Sequence, residues 1–334
     1  MQLKVHQDTK DKLSPLLIYI INDLLPKFIK LDFIITFNMI KVGFIVNAKH
    51  RKNKRYLDVR NTLLTRPNIV SFEYITSYPK HATELIGLIN EEIQIVIAVG
   101  GDGTINEIVN GLMIYNKQAV SFGIIPCGTG NDFARNLKPF SAIDLLNTIE
   151  NKKTTLIDVG CIQYSNNKSY FLNIADIGFG PEVISIMNRQ RSNGLSGKFS
   201  YALAILRAFF SYKKKMLSLS SDEFSYNGKM LMVAFCNGST FAHGLCVHPN
   251  CKIDSGTFGV TIIGDVSLME YIKNLSKLKK GKMIEHKEVH YYSSNSIKIS
   301  SIENLKIEAD GELFPINAIE INVIKQSLKF INSL

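Results

Sequence analysis

Two glycine-rich turns, each set directly after an apolar run and directly before a helical pattern, constrain this chain most. Residues 93–99 lead into GGDGT (100–104), and residues 122–126 lead into GTGND (128–132). The same grammar extends on both sides, with strands expected at 41–47 and 70–75 and helices at 54–65, 81–92, 104–115 and near 143–151. Fully apolar strands that alternate with helices belong in a parallel sheet covered on both faces. The expected unit is therefore a doubly wound α/β domain. In such a sheet both turns lie at the carboxyl ends of strands, where ligands collect. Glycine permits positive φ and close backbone approach, so amides at a helix N-terminus can converge on a phosphate. A plain strand-to-helix turn capped by Asp102 or Thr104 explains the same residues locally. A P-loop and a dinucleotide Rossmann site are disfavoured, because neither GxxxxGK[ST] nor GxGxxG with a correctly placed acid occurs.

From about residue 156 the pattern changes. Runs at 229–235, 258–263, 296–300 and 305–309 have strand composition, and helices are few, with candidates at 197–212 and 267–279. A mostly antiparallel β domain follows. A length of 334 residues suits two such domains, and 46% hydrophobic residues can fill their cores. The net charge of +10 attracts anions without choosing among nucleotides, nucleic acid and lipid headgroups. Five cysteines suit a reducing compartment, and no apolar run approaches the ~20 residues of a membrane span. The expected location is cytoplasmic. Residues 1–38 carry two short apolar clusters that fit an added helix, a membrane-surface helix, or sequence upstream of a start at Met39. His243, Cys246, His248 and Cys251 lie close together, but their spacing matches no zinc finger or ribbon.

The segments GGDGTINEIVNGL (100–112), IIPCGTGNDFARNL (124–137), NIADIGFGPEV (173–183) and EADGELF (308–314) resemble, in that order, the diacylglycerol kinase catalytic-domain superfamily, specifically its soluble bacterial lipid kinases. GGDG alone is shared with NAD kinases and phosphofructokinases, whereas its pairing with GTGNDFAR is far more specific. The resemblance implies a NAD-kinase-like α/β domain over 39–155, a β-sandwich domain over 156–318, and a tail, 319–334, that could return to the first domain. ATP and lipid would share the cleft between them.

Carried residue by residue, the resemblance implies ATP contacts at Asn47, Thr76, Gly100, Gly101, Asp102, Gly103, Thr104, Ile105, Asn106 and Thr129, with Asp132 and Arg135 on the nucleotide and metal side. Glu312 would match the general base, with Asp310 a close rival; by itself Asp310-Gly311 reads as a hairpin turn. A carboxylate can take the proton of a lipid hydroxyl while a γ-phosphoryl group passes to it, and Mg²⁺ with cationic side chains spreads the charge.

Two departures stand out. The family's first loop reads NPxSG, where this chain has Asn47-Ala48-Lys49-His50-Arg51, leaving cations rather than a backbone cradle. The family's Mg²⁺ site beyond the phosphates falls on Lys252, Ser255 and Thr257, with serine in the aspartate position and Asp254 one residue earlier, so this site is expected to be weakened or rebuilt around Asp254. Helical spacing of Phe199, Leu203, Leu206 and Phe210 before Lys213, Lys214 and Lys215 fits either a core-facing helix or membrane contact. The leading expectation is an ATP- and Mg²⁺-dependent lipid kinase at a membrane surface. A NAD kinase and a catalytically lapsed nucleotide or lipid sensor are the alternatives. Nucleic acid is the weakest partner, because no base-stacking motif accompanies the basic runs, and a homodimer stays open.

Overall fold

The computed structural model describes residues 39–331 apart from 165, 166, 196 and 243. The readings made for 1–38 and for His243 lie outside the described residues. The first half forms β1 (Ile40–Asn47), α1 (Lys54–Leu63), β2 (Ile69–Thr76), α2 (His81–Leu88), β3 (Ile95–Gly100), α3 (Asp102–Ile114), β4 (Ser121–Pro126) and α4 (Ala142–Glu150). Its strands run in parallel in the order β2-β1-β3-β4. All six residues of β3 are buried. Their alternation sends Val96 and Ala98 to a core with Ile86, Ile108 and Leu112 from α2 and α3, and Ile97 and Val99 to one with Tyr56, Leu146 and Ile149 from α1 and α4. Each Val, Ile or Leu among them contributes about 1.5–3 kcal/mol on burial, which is why the sheet carries helices on both faces.

The second half contains β5 (Thr155–Tyr164), β6 (Asn167–Phe171), β7 (Ile174–Gly178), α5 (Phe179–Ser192), α6 (Lys198–Ser211), β8 (Lys215–Ser220), β9 (Ser225–Met230), β10 (Met232–Cys236), the short β11 (Thr240–Phe241) and β12 (Leu245–Cys246), β13 (Phe258–Ile263), α7 (Leu268–Lys279), β14 (Val289–Ser294), β15 (Ser296–Ala309) and β16 (Glu312–Phe330). Apart from one parallel contact between β16 and β4, its strand pairs are antiparallel. Ile162, Ile177, Leu219, Phe235, Val260, Ile307 and Ile321 share one core, so the sheet folds over itself around them.

Several local expectations are corrected. The helix expected over 81–92 ends at Leu88. The run 229–235 breaks at Leu231, whose amide leaves the strand to bond Ile263 and Gly264 carbonyls. Helix α5 is not among the helices expected from the sequence, and its first turn contains Gly180 and Pro181. Proline costs nothing in a first turn, where the amide has no intrahelical partner. The runs 296–300 and 305–309 are one strand with a register irregularity between Ser300 and Leu305.

Strand β16 joins the halves. It pairs with β15 and β5, then at Phe330 lies beside Phe122 of β4, and the Ile331 amide donates to the Phe122 carbonyl at 2.9 Å. Phe122, Phe133 and Phe330 pack their rings together there.

Candidate active site

The two glycine turns form one surface. A Cβ on Gly128 would stand 2.6 Å from the Gly101 Cα, one on Gly101 would stand 3.0 Å from the Gly128 Cα, and the Cys127 amide donates to the Gly100 carbonyl at 2.8 Å. Neither glycine has positive φ, so close backbone approach is what demands glycine at both positions. Gly103, in the first turn of α3, has open space where a Cβ would be. The unpaired amides of such a turn, with the positive end of the helix dipole, favour an anion.

Asn47 and Thr76 are register partners at the carboxyl ends of β1 and β2. The Asn47 amide donates to Thr104 Oγ1 at 3.2 Å, while its oxygen accepts from the Lys49 amide and caps a short 3-10 turn, Ala48–His50. Arg55 reaches the same edge and donates to the Pro126 carbonyl at 3.3 Å. Thr129 is exposed at the tip of the second turn. Asp102 Oδ1 accepts from the Phe133 amide at 3.1 Å, and burial lifts its pKa above the usual carboxylate value. Asp132 and Arg135 form an ion pair at 3.4 Å.

From the second half, Asp310 and Gly311 make a two-residue hairpin turn between Ala309 and Glu312, both at positive φ (46° and 95°). The Asp310 carboxylate accepts from the amides of Leu172 (2.7 Å), Asn173 (3.1 Å) and Ile174 (3.1 Å) and from the Asn106 side chain (3.2 Å). Burial pushes its pKa up to about 6 even so. With its acceptors engaged in this way, Asp310 holds the two halves together. Glu312 is exposed immediately beyond Gly311.

Beneath these groups lies a cavity of about 290 Å³. Phe179, Val183, Ile205, Phe209, Met232 and Ile263 are among its apolar lining, and Asp102, Ile105, Asp132 and Phe133 reach it from the first half. Gly311 and Asp310 also line it. Sequence reasoning missed one pair in that wall, Asp176 and Glu308. Its signal was an ionisable residue inside the otherwise apolar run Ile174-Ala175-Asp176-Ile177. The two are opposite each other in the β7–β15 ladder, both buried, and desolvation raises the pKa of each.

The expected outer metal position lies away from this cavity. The Lys252 and Thr257 carbonyls do converge, but on the Ser255 hydroxyl, at 2.9 and 3.0 Å. Asp254 is exposed, and Asp158 anchors the turn by accepting from the Gly256 and Gln326 amides. A hydroxyl and two carbonyls bring no charge to offset Mg²⁺ dehydration, so this set does not fit the ion. Among the described residues there is no cluster of three or more His, Cys, Asp or Glu side chains suited to a metal.

Residues 41–162 match the diacylglycerol kinase catalytic domain family. A diacylglycerol kinase of Staphylococcus haemolyticus is 30% identical over 251 residues, covering 75% of this chain and 74% of that protein. The chain belongs to the diacylglycerol kinase family. A second relative in this family, a diacylglycerol kinase of Staphylococcus aureus strain Newman, is 30% identical over 241 residues, covering 70% and 75% of the two chains. Residues 174–332 match the YegS C-terminal NAD kinase beta sandwich-like domain. The fold is that of a Bacillus anthracis diacylglycerol kinase crystal structure, at TM-score 0.62 and 20% identity over 87% of this chain and 96% of that one. Another Bacillus anthracis structure aligns at TM-score 0.68 and 23% identity, covering 88% and 98%.

Proposed function

We propose that this protein is an ATP- and Mg²⁺-dependent lipid kinase, transferring the γ-phosphoryl group to the free hydroxyl of diacylglycerol or a related membrane lipid. One observation carries the reading: an apolar cavity reaches from the second half to carboxylates beside the glycine turns. A lipid tail fits the apolar wall, and a triphosphate fits the helix N-terminus. On this reading the turn amides around Gly100–Asn106 and Thr129 hold the phosphates, Asn47 and Thr76 bound the nucleotide side, and Arg135 adds positive charge. Asp102 and Asp132 are the carboxylates the first half offers to Mg²⁺, which when bound with the nucleotide would neutralise charge on the transferring phosphoryl group.

The hydroxyl oxygen attacks the γ-phosphorus, the bond from that phosphorus to the β–γ bridging oxygen breaks, and ADP leaves. Glu312, exposed beside the cavity-lining Gly311, takes the hydroxyl proton. Asp310 positions that hairpin through the four donors it accepts. Access from a bilayer is supported by α6, whose Ile205 and Phe209 line the cavity while Leu206 and Phe210 stand 42% and 81% exposed on the same helix. No described helix is long and apolar enough to cross a membrane.

The test is transfer of radiolabel from γ-labelled ATP to a panel of extracted lipids. Label in a lipid alcohol, lowered at least about 100-fold by Asp102→Ala and by Glu312→Gln, is expected. A folded, Mg²⁺-supplied protein that labels NAD and no lipid would overturn the reading.

A further inference from the structure

Strand β7 is buried along its whole length, yet it carries Asp176 at its centre. Across the ladder stands Glu308, also buried, and directly opposed residues in an antiparallel pair bring their Cβ atoms within about 4.5–5.5 Å. Two anions at that separation in an apolar wall repel each other and lose their hydration, so the pair retains a proton. The remaining oxygens are poorly supplied. Glu308 accepts from the Gly311 amide, but neither Asp176 oxygen has a well-formed hydrogen bond. The groups that act on Asp176 are Glu308 and the Gly180 amide. The wall is cut back around it, since a Cβ on Gly180 would lie 2.2 Å from both Asp176 oxygens. Both acids line the cavity alongside Asp102 and Asp310.

Buried acceptors without donors are costly, and an arriving donor relieves that cost. We propose that Asp176 and Glu308 form the headgroup clamp of the acceptor site, hydrogen-bonding the hydroxyl-bearing headgroup of a neutral lipid alcohol while its chains fill the apolar cavity. The one proton the pair retains is held between the two carboxyls, which leaves the other Asp176 oxygen as an acceptor without a donor, so the ligand brings a donor, and an acceptor lipid for phosphoryl transfer carries at least one O–H. The clamp rests on the lipid-kinase reading and adds two positioning residues to it. Neither acid is assigned the proton-transfer step.

The experiment is steady-state kinetics in mixed micelles of a neutral detergent and diacylglycerol, on wild type, Asp176→Asn and Asp176→Leu. Asn keeps the shape and one acceptor, and Leu fills the space without any. The KM for lipid should rise about 3–10-fold for Asn and more than about 30-fold for Leu, while kcat stays within about threefold and the KM for ATP is unchanged. A methyl-ether analogue lacking the free hydroxyl should inhibit wild type at least about tenfold more weakly than the alcohol binds, and this gap should close in Asp176→Leu. Circular dichroism and the urea midpoint establish that each variant is folded. Wild type that labels no lipid sinks the lipid-kinase reading and the clamp with it. Wild type that labels lipid, beside variants with unaltered lipid KM or with a fall in kcat alone, overturns the clamp only.

Discussion

The side-chain amide of Asn106, on the helix that follows the first glycine turn, donates to the Asp310 carboxylate of the second-half hairpin across 3.2 Å. It also donates to the Tyr170 carbonyl at 3.1 Å, so one residue of α3 is bonded to a strand, β6, and to the β15–β16 hairpin turn of the other half. Asp310 in turn collects three successive backbone amides, 172–174. The carboxylate thereby sets where Gly311 and Glu312 lie relative to the glycine turns.

Removing the charge at that junction while keeping its shape should loosen it. Asp310→Asn is expected to lower unfolding free energy by about 2–4 kcal/mol, since hydrogen bonds to an ionised acceptor are the stronger kind and an amide NH₂ would now face backbone donors. Asn106→Ala should cost about 1–2 kcal/mol. Urea unfolding curves measure both, and an Asp310→Asn midpoint equal to wild type would refute the positional role.

The buried acids also set a pH trend. Asp310 in the folded protein titrates at about 6 against an ordinary 3.8, and burial raises Asp176 and Glu308 as well. Between those values the folded state binds more protons than the unfolded one, so stability from these groups is full below about pH 4 and is lost as pH rises through 6. Glu270 works in the opposite sense, but its pKa is lowered to about 2, so its contribution is lost only as pH falls below the ordinary glutamate range. Burial lowers the pKa of His248, which therefore gains stability as pH rises toward the ordinary histidine value and opposes the acids in this window. The acids are therefore read from a difference: between pH 5 and pH 7 the thermal midpoint of Asp176→Asn should fall less than that of wild type. A steeper fall in that variant would contradict the assignment.

Crowding between the two turns leaves no room for a methyl group. Gly128→Ala places a Cβ 2.6 Å from the Gly101 Cα, a backbone atom that cannot swing aside. The expected cost is about 1–3 kcal/mol of stability, with ATP binding by calorimetry weakened at least about tenfold. Gly103→Ala, which meets open space, should cost no more folding stability than a helix-surface change.

At the Lys252–Thr257 turn the Ser255 hydroxyl does the closing, and Asp158 fixes the backbone. Chelation should leave the thermal midpoint of the nucleotide-free protein unchanged while abolishing transfer, which in the proposed reaction uses Mg²⁺ with ATP. Ser255→Asp would add the missing charge beside two carbonyls and should make the midpoint rise with millimolar Mg²⁺, the added stability being about 2.7 kcal/mol at a hundredfold excess over Kd.

Phe210 is 81% exposed and has little to lose on the folded side, whereas Leu206, at 42%, is more than half covered. Changing Phe210 to Ser should alter stability by less than about 0.5 kcal/mol, and changing Leu206 as well by about 1 kcal/mol more. Sedimentation with anionic vesicles should fall about tenfold or more, as expected for about 1.5–3 kcal/mol per buried apolar side chain. Undiminished vesicle binding would place the contact elsewhere.

The strand-and-helix alternation of the first half, the two glycine turns and the ordered motifs were legible in the amino-acid sequence, because period, turn chemistry and spacing are local properties. Even there, sequence offered positive φ or close approach as the reason for glycine, and only the contact of Gly101 with Gly128 selects the second. Helix α5 was hidden because Gly180 and Pro181 carry opposite local meanings in a loop and in a first turn. The pairing of Asp176 with Glu308, the grip of Asp310 on three amides and Asn106, and the run of β16 back to β4 belong to tertiary structure alone. Strand register is settled by which faces bury together, and that long-range choice brings distant acids and amides to one wall.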